Sequence, residues 1–116
     1  MIKSFAVATA LLAASPALAD FNRVSSKGDF VGLVSGKALT RMGVTLKVLP
    51  EGKIEGRAFG QTVTGAWNWN GGLFCRDLTF GRRNLGPNCQ VVQKKGDTIR
   101  FIADEGRGDF ADLRIR

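Results

Sequence analysis

Fifteen glycines divide the chain after residue 19 into short segments in which apolar and polar residues alternate. In residues 44–48, for example, valine and leucine alternate with Thr45 and Lys47, so one face of the segment is apolar. Turn residues that recur between such segments are typical of an all-β sandwich or barrel. No segment has the pattern of a helical crossover between parallel strands, so we predict an antiparallel sheet.

The fold class predicted from this pattern is all-β. We expect a small antiparallel up-and-down barrel, or a two-sheet sandwich, of about seven to eight strands, because a closed barrel leaves no exposed edge. The predicted strands are residues 37–40, 44–48, 53–59, 62–69, 73–80, 89–94, 98–103 and 110–115. Residues 82–88 are predicted to form an irregular loop, and residues 104–109 a charged loop. Gly60-Gln61 suits a type II′ hairpin, and Asn70-Gly71 is the strongest hairpin signal.

One short helix is predicted before the strands. Ser26 and Asp29 have the spacing of a capping box, with Asp29 in the place of the usual Glu. Phe30, Leu33 and Val34 would then share one face, and the glycine at position 36 would end the helix. This helix of about two turns is expected to plug or flank the sheet.

The first 19 residues have the pattern of a secretory signal. A lysine at position 3 precedes a short apolar run, and Ala17-Leu18-Ala19 is a small-x-small cleavage site. We predict cleavage after Ala19, a mature single domain over residues 20–116, and a periplasmic or secreted location. No later segment is apolar for long enough to cross a membrane. An oxidising location favours a disulfide between Cys75 and Cys89, the only two cysteines; two free thiols are the alternative.

Charge and composition limit the chemistry. The net charge is +7 and becomes +6 without Lys3, which attracts anionic ligands or acidic partners, although such charge also serves solubility. Histidine is absent, so a Ser-His-Asp or Cys-His site and any histidine-ligated metal are excluded. We predict no catalytic residue, no metal site, no cofactor and no nucleic-acid partner, and we expect a monomer.

Two groups of residues are candidates for ligand binding. Trp67 and Trp69 point the same way on one strand, where they could stack a ligand or simply form the core. Arg76 and a set of four further cations flank the region between the cysteines. The four are Arg82, Arg83, Lys94 and Lys95. If the disulfide holds the 82–88 loop against the next strand, these cations form a basic rim that could bind phosphate or carboxylate; ordinary solvated charge is the alternative.

Two weaker patterns lie near the end of the chain. Residues 106–111 match the G-x-G-x-x-A dinucleotide fingerprint, but the chain offers no helix and second parallel strand after it. The carboxylates of Asp104, Glu105, Asp109 and Asp112 could bind calcium or form a hydrolase pair. A charged hairpin loop is the simpler interpretation.

Four segments together resemble a known family over nearly the whole mature chain. They are GAWNW at 65–69, LFCRDL at 73–78, LGPNC at 85–89 and IRFIAD at 99–104. They resemble small exported bacterial proteins that often carry the name dihydrodipicolinate reductase. The resemblance implies an enzyme of lysine biosynthesis that uses a nicotinamide cofactor. It assigns no catalytic residue to this chain. A true reductase of that kind resembles a two-domain protein with an N-terminal Rossmann fold and an active-site histidine, and this chain has no histidine.

The residues favour binding over catalysis. We predict an exported, non-catalytic binding protein for an anionic ligand, which Arg82, Arg83, Lys94 and Lys95 would engage, with Trp67 and Trp69 contributing if the barrel is open at one end. An inhibitor of an envelope or host hydrolase is the second hypothesis. A dihydrodipicolinate reductase-like protein is the third.

Overall fold

The computed structural model describes residues 20–116, so the predicted signal segment and its cleavage site after Ala19 lie outside the described residues. Nine strands and two short helices make up this part of the chain. In chain order they are β1 (Asn22–Val24), α1 (Lys27–Val34), β2 (Leu39–Arg41), β3 (Val44–Val48), β4 (Lys53–Ala58), β5 (Gln61–Asn70), β6 (Leu73–Phe80), β7 (Arg83–Lys95), β8 (Thr98–Ile102), α2 (Ala103–Gly106) and β9 (Phe110–Ile115).

Eight of the strands close into an antiparallel up-and-down barrel. Each strand from β2 to β8 pairs with the next along the chain, and β9 returns to pair with β2. The remaining strand, β1, pairs with the second half of β7, where Asn22 lies opposite Lys94. The predicted all-β barrel is therefore confirmed, with β1 as an additional short strand that the pattern did not indicate.

The alternating hairpins give the barrel two different ends. The connections β3–β4, β5–β6 and β7–β8 lie at the same end as α1, which we call the plugged end. The connections β2–β3, β4–β5, β6–β7 and β8–β9 lie at the other, which we call the open end.

Helix α1 seals the plugged end through one aromatic side chain. The helix begins where predicted, with the Ser26 hydroxyl accepting a hydrogen bond of 3.1 Å from the Asp29 backbone N–H. Phe30 is fully buried, and its ring lies within 5.0–6.3 Å, between centroids, of four aromatic rings inside the barrel. These rings belong to Trp67, Trp69, Phe74 and Phe101. The helix is thus a plug, because it buries its apolar face in the barrel.

Two local predictions are wrong for the same physical reason. Residues 83–88, predicted as an irregular loop, pair with β6, since a bulge opposite Leu78 and Thr79 takes up the extra residue and Gly86 adopts a positive φ of 78°. The hairpin after β4 turns at Phe59-Gly60, with φ of 50° and 79°, rather than at Gly60-Gln61. Two central residues with positive φ indicate a type I′ turn, not type II′. In both places the strand register decided the turn, and residue type alone did not reveal it.

The disulfide joins two strands directly across the sheet. Cys75 and Cys89 are paired residues of β6 and β7, with their Cα atoms 3.9 Å apart. They alternate with Phe74 and Arg76, which face the interior, so the disulfide lies on the outer face of the barrel.

Candidate functional site

A cavity of about 290 Å³ occupies the barrel interior between the α1 plug and the open end. Most of its lining is apolar and comes from strands all round the barrel. The lining side chains include Leu39, Leu46, Val48, Ile54, Phe74, Leu78, Phe101 and Leu113. Phe74 and Phe101 also contact Phe30, so they separate the cavity from the plug. An eight-stranded barrel has an interior just wide enough for side chains or for one small ligand.

Two charged residues line this apolar cavity, Arg76 in the barrel wall and Asp109 at the open end. Arg76 alternates with Phe74 and Leu78 along β6 and lines the cavity with them. Its Nη1 donates a hydrogen bond of 2.8 Å to the Gly86 carbonyl oxygen on β7. Neither of the ion pairs found in residues 20–116 involves Arg76. The guanidinium therefore has one backbone acceptor and four further N–H donors in a half-buried, apolar place.

The surroundings of Arg76 disfavour its charge. Burial lowers the pKa of the Arg76 guanidinium, and the negative charge of Asp77 opposes that shift only in part. Arginine stays protonated in proteins, so the consequence is an under-compensated positive charge and not a neutral side chain. A bound anion at this place would supply the missing compensation.

A short polar network borders the cavity beside Arg76. Gln90, only 8% exposed, donates from Nε2 to the Asn88 side-chain oxygen at 3.1 Å. That oxygen also accepts the Asp104 backbone N–H at 3.0 Å, and the Asn88 amide donates to the Asp104 carboxylate at 2.8 Å. Asn88 thus ties the β8–β9 connection to β7. Ala103 and Asp109, at the two ends of that connection, line the cavity at the open end.

A larger groove of about 840 Å³ lies on the outside of the plugged end, between α1 and the β7–β8 turn. It carries charges of both signs. They come from Asp20, Asp29, Arg23, Lys94 and Lys95. The groove is a shallow, mixed-charge surface, whereas binding sites for small molecules are usually concave and mostly apolar, with few polar groups. The smaller interior cavity meets that description better.

The structure places the two tryptophans in the core. Trp67 is buried, and its Nε1 donates to the Leu49 carbonyl oxygen at 2.8 Å; Trp69 donates to the Ser25 carbonyl oxygen at 3.4 Å. Both rings contact Phe30 of the plug. Their hydrogen bonds fasten the β3–β4 turn and the start of α1 to β5. Neither tryptophan lines the interior cavity.

The structure separates the four cations that were predicted to share a rim. Arg82 and Arg83 lie at the β6–β7 turn of the open end, whereas Lys94 and Lys95 lie at the β7–β8 turn of the plugged end. The thirteen residues of β7 stand between them, so the four side chains do not form one surface. Arg76 belongs to neither pair, because it lies inside the barrel.

The acidic residues near the end of the chain divide between two places. Asp104, Glu105 and Asp109 lie in the β8–β9 connection, which leads into a strand and not into the helix that a dinucleotide fingerprint requires. Asp112 lies on the outer face of β9, opposite Arg100 of β8, and accepts two hydrogen bonds of 2.7 and 2.9 Å from its guanidinium.

Arg100 is part of a structural cluster on the outer wall. Its guanidinium lies 3.9 Å from the ring centroids of both Phe21 and Phe110. The hydrogen bonds from Arg100 lower the pKa of Asp112, and those to Asp112 raise the pKa of Arg100. This cluster fastens the segment before β1 to the β8–β9 hairpin. Arg100 itself does not line the cavity, whereas Phe110 does.

Comparison with protein-family models, with curated proteins and with solved structures finds no match. The resemblance to the exported reductase-named family therefore stays a prediction. Among the helices of residues 20–116, none has the length and apolar character needed to cross a membrane. Because no known protein matches, the function of the site is inferred from its own geometry.

The predicted basic rim included Arg76 among surface cations, whereas Arg76 lies in the wall of the cavity. The signal was present in the alternation of residues 74–78, where Arg76 has the same parity as Phe74 and Leu78. A cation on the apolar face of a strand is a rare arrangement, because isolated charges are seldom buried.

Proposed function

We propose that the protein binds a small amphipathic anion inside its barrel, with the apolar part of the ligand in the cavity and its anionic group on Arg76. The observation that carries this proposal is the half-buried guanidinium of Arg76, which lines a mostly apolar cavity and forms no ion pair among residues 20–116, although Asp109 lines the open end of the same cavity. An apolar cavity with a few converging polar groups and a perturbed ionisable residue is the usual form of a ligand site.

The cavity volume limits the size of the ligand. Its 290 Å³ correspond to about ten water molecules at the density of the liquid. A ligand of about ten non-hydrogen atoms would fill that space. Medium-chain carboxylates such as octanoate, and aryl-substituted short-chain acids, have this size and combine one anionic group with an apolar body.

The polar groups favour a carboxylate head group. The planar guanidinium of Arg76 can donate two parallel hydrogen bonds to a carboxylate, and such bonds are stronger than those between neutral groups. Gln90 lines the same cavity and carries an amide that can hydrogen-bond a second polar atom of the ligand.

The proposed setting is outside the cytoplasm. The outward-facing disulfide of Cys75 and Cys89 supports an oxidising compartment, and the predicted secretory signal supports export. The protein would then carry or capture its ligand without chemical conversion.

The experiment is calorimetric titration of the 20–116 protein with octanoate and, as an uncharged analogue of equal chain length, with 1-octanol. We expect octanoate to bind more tightly than 1-octanol. The substitution Arg76→Gln should weaken octanoate binding by roughly thirtyfold, because a charge-assisted hydrogen bond is worth about 2 kcal/mol. The same substitution should leave the affinity for 1-octanol nearly unchanged.

The matched control is Arg83→Gln, which removes a cation that does not line the cavity. Arg83 lies on the same side of the barrel, at the β6–β7 turn, and its replacement should not alter octanoate affinity. The proposal fails if Arg76→Gln and Arg83→Gln change the octanoate affinity equally. It also fails if neither octanoate nor 1-octanol binds.

A further inference from the structure

The open end presents several large apolar side chains to solvent, and the two most exposed lie on neighbouring turns; Phe110, 57% exposed, and Leu85, 48% exposed, lie at the same end. Met42, in the β2–β3 turn, is 93% exposed, and Phe59, in the β4–β5 turn, is 71% exposed. The two turns are in contact, because the Phe59 backbone N–H donates to the Gly43 carbonyl oxygen at 2.7 Å. Exposed apolar residues that form a patch mark interaction sites, whereas single ones need no explanation.

Phe59 occupies a position for which its side chain is poorly suited. Its φ of 50° is in the left-handed region, which is uncommon for a bulky residue, and a type I′ turn favours Asn before Gly. The equivalent turn at the plugged end, after β5, has Gly71 and Gly72 at its centre, with φ of 59° and 79°. Backbone strain combined with an exposed ring indicates that the ring itself has a role.

Cations surround this apolar pair. The β2–β3 turn begins after Arg41, and Arg57 precedes Phe59 on β4, where its Nη2 donates to the Gly60 carbonyl oxygen. The next turn round the barrel, β6–β7, adds Arg82 and Arg83. These three turns contain no aspartate or glutamate between residues 41–44, 57–62 and 80–85.

The acidic side of the open end lies opposite. The β8–β9 connection, which contains Asp104, Glu105, Asp109 and a single cation at Arg107, neighbours the β2–β3 and β6–β7 turns but not the β4–β5 turn. The charges therefore divide the end of the barrel into a basic side centred on Phe59 and an acidic side across from it, where Phe110 is also exposed.

We propose that the open end docks on an anionic phospholipid surface, with Met42 and Phe59 entering the interfacial region and the four arginines contacting lipid head groups. We define this docking face as Arg41, Met42, Arg57, Phe59, Arg82 and Arg83. Exposed apolar residues ringed by cations are the combination that binds anionic membranes peripherally, because apolar burial and electrostatic attraction add together. The docking face goes beyond the ligand site, and it would bring the mouth of the cavity to a source of amphipathic anions.

The test is co-sedimentation of the 20–116 protein with vesicles of phosphatidylcholine alone and of phosphatidylcholine mixed with phosphatidylglycerol. We expect binding to the anionic vesicles only, and weaker binding at high salt. The double substitution Met42→Ser/Phe59→Asn should weaken that binding by roughly tenfold or more. Phe59→Asn suits the type I′ turn, so loss of binding would not reflect loss of the fold.

A charge-matched pair of variants separates docking from general attraction. Arg82→Gln/Arg83→Gln and Lys94→Gln/Lys95→Gln each remove two cations, at opposite ends of β7. We expect the first pair to weaken vesicle binding by roughly tenfold and the second to change it by less than about twofold. Equal effects of the two pairs would overturn the proposal, because the attraction would then depend on net charge alone.

Absence of binding to anionic vesicles would also overturn it, and would leave the docking face to an acidic protein partner such as the hydrolase of the inhibitor hypothesis. The ligand site is tested separately with the same variants. Arg76→Gln should still bind vesicles, and Met42→Ser/Phe59→Asn should still bind octanoate, so failure of one proposal is distinguishable from failure of the other.

Discussion

The two ends of the barrel use apolar side chains in opposite ways. At the plugged end, Phe30 brings the apolar face of α1 into the barrel and is fully buried there. At the open end, Met42 and Phe59 are exposed, and the interior beneath them contains a cavity with a half-buried cation. The two ends therefore place large apolar side chains differently, packed into the core at one end and exposed to solvent at the other.

The largest expected effect comes from removing the plug. Phe30→Ala deletes a buried ring that contacts four aromatic side chains, and such a change costs about 4 kcal/mol of unfolding free energy. Urea denaturation followed by tryptophan fluorescence measures it. Met42→Ala is the matched truncation at the open end and should change stability by less than about 0.5 kcal/mol. Similar losses for both variants would remove the distinction between the ends.

The next largest effect is expected from removing the disulfide in the barrel wall. Replacing both Cys75 and Cys89 by alanine removes a bridge that closes a loop of about 15 residues, for which the chain-entropy model gives about 3 kcal/mol. Urea denaturation of the double variant, compared with the oxidised parent, measures this loss. We also expect faster hydrogen exchange for the β6–β7 pair near Asn88, because the bridge joins these strands beside the Asn88 network. An unchanged unfolding free energy would show that the strand pairing alone determines stability here.

A smaller effect, of opposite sign, is expected from the strained turn. Phe59→Asn should raise the unfolding free energy by about 1 kcal/mol, because a non-glycine residue with positive φ carries about that much strain and asparagine tolerates it. Thermal denaturation provides the measurement. A second variant, Gln61→Asn, lies beside the turn without changing the positive-φ position, and it should not stabilise the protein. A destabilised Phe59→Asn variant would indicate that the exposed ring contributes to folding after all.

The smallest expected effect is the pH dependence of the outer-wall cluster. The Arg100 guanidinium holds the pKa of Asp112 below its ordinary value of 3.8, so the folded state favours the carboxylate. The stabilisation is therefore present above pH 3.8 and is lost as the pH falls through the lower folded value. Asp112→Asn should be less stable than the parent at neutral pH, by a modest amount since both side chains are partly exposed.

Unfolding of the parent and of Asp112→Asn at neutral pH and below pH 3.8 checks the sign of this dependence. The difference between the two proteins should shrink on acidification. A difference that is constant across this range would mean that the carboxylate is not held by Arg100.

The sequence predicted those parts of the fold that depend on local periodicity. The alternation in β3 and the capping residues Ser26 and Asp29 predicted elements that the structure contains. The sequence pattern did not reveal β1, because its three residues, Asn22–Val24, are too few to show a period. It also missed the first half of β7, because Gly86-Pro87 is typical of a loop and only the pairing with β6 reveals a bulged strand.

The candidate site was harder to predict, because it depends on barrel closure. Parity places Arg76 on the same face as Phe74, but parity alone does not say whether that face lines a filled core or a cavity. The cations at the two ends of β7 illustrate the opposite error. The prediction of one basic rim assumed that the disulfide holds the 82–88 loop against the next strand. Residues 83–95 instead form one strand of thirteen residues, whose ends can lie up to about 40 Å apart at 3.3 Å per residue.

The position of a bound anion tests most directly whether the ligand binds inside the barrel beside Arg76. We would measure intermolecular nuclear Overhauser effects between octanoate and the isotope-labelled 20–116 protein. If the ligand lies inside the barrel, we expect contacts from the octanoate chain to the side chains of Leu39, Phe101 and Leu113, with the carboxylate end nearest Arg76. Contacts only to Leu33 and the glycines of α1, in the outer groove of the plugged end, would contradict it.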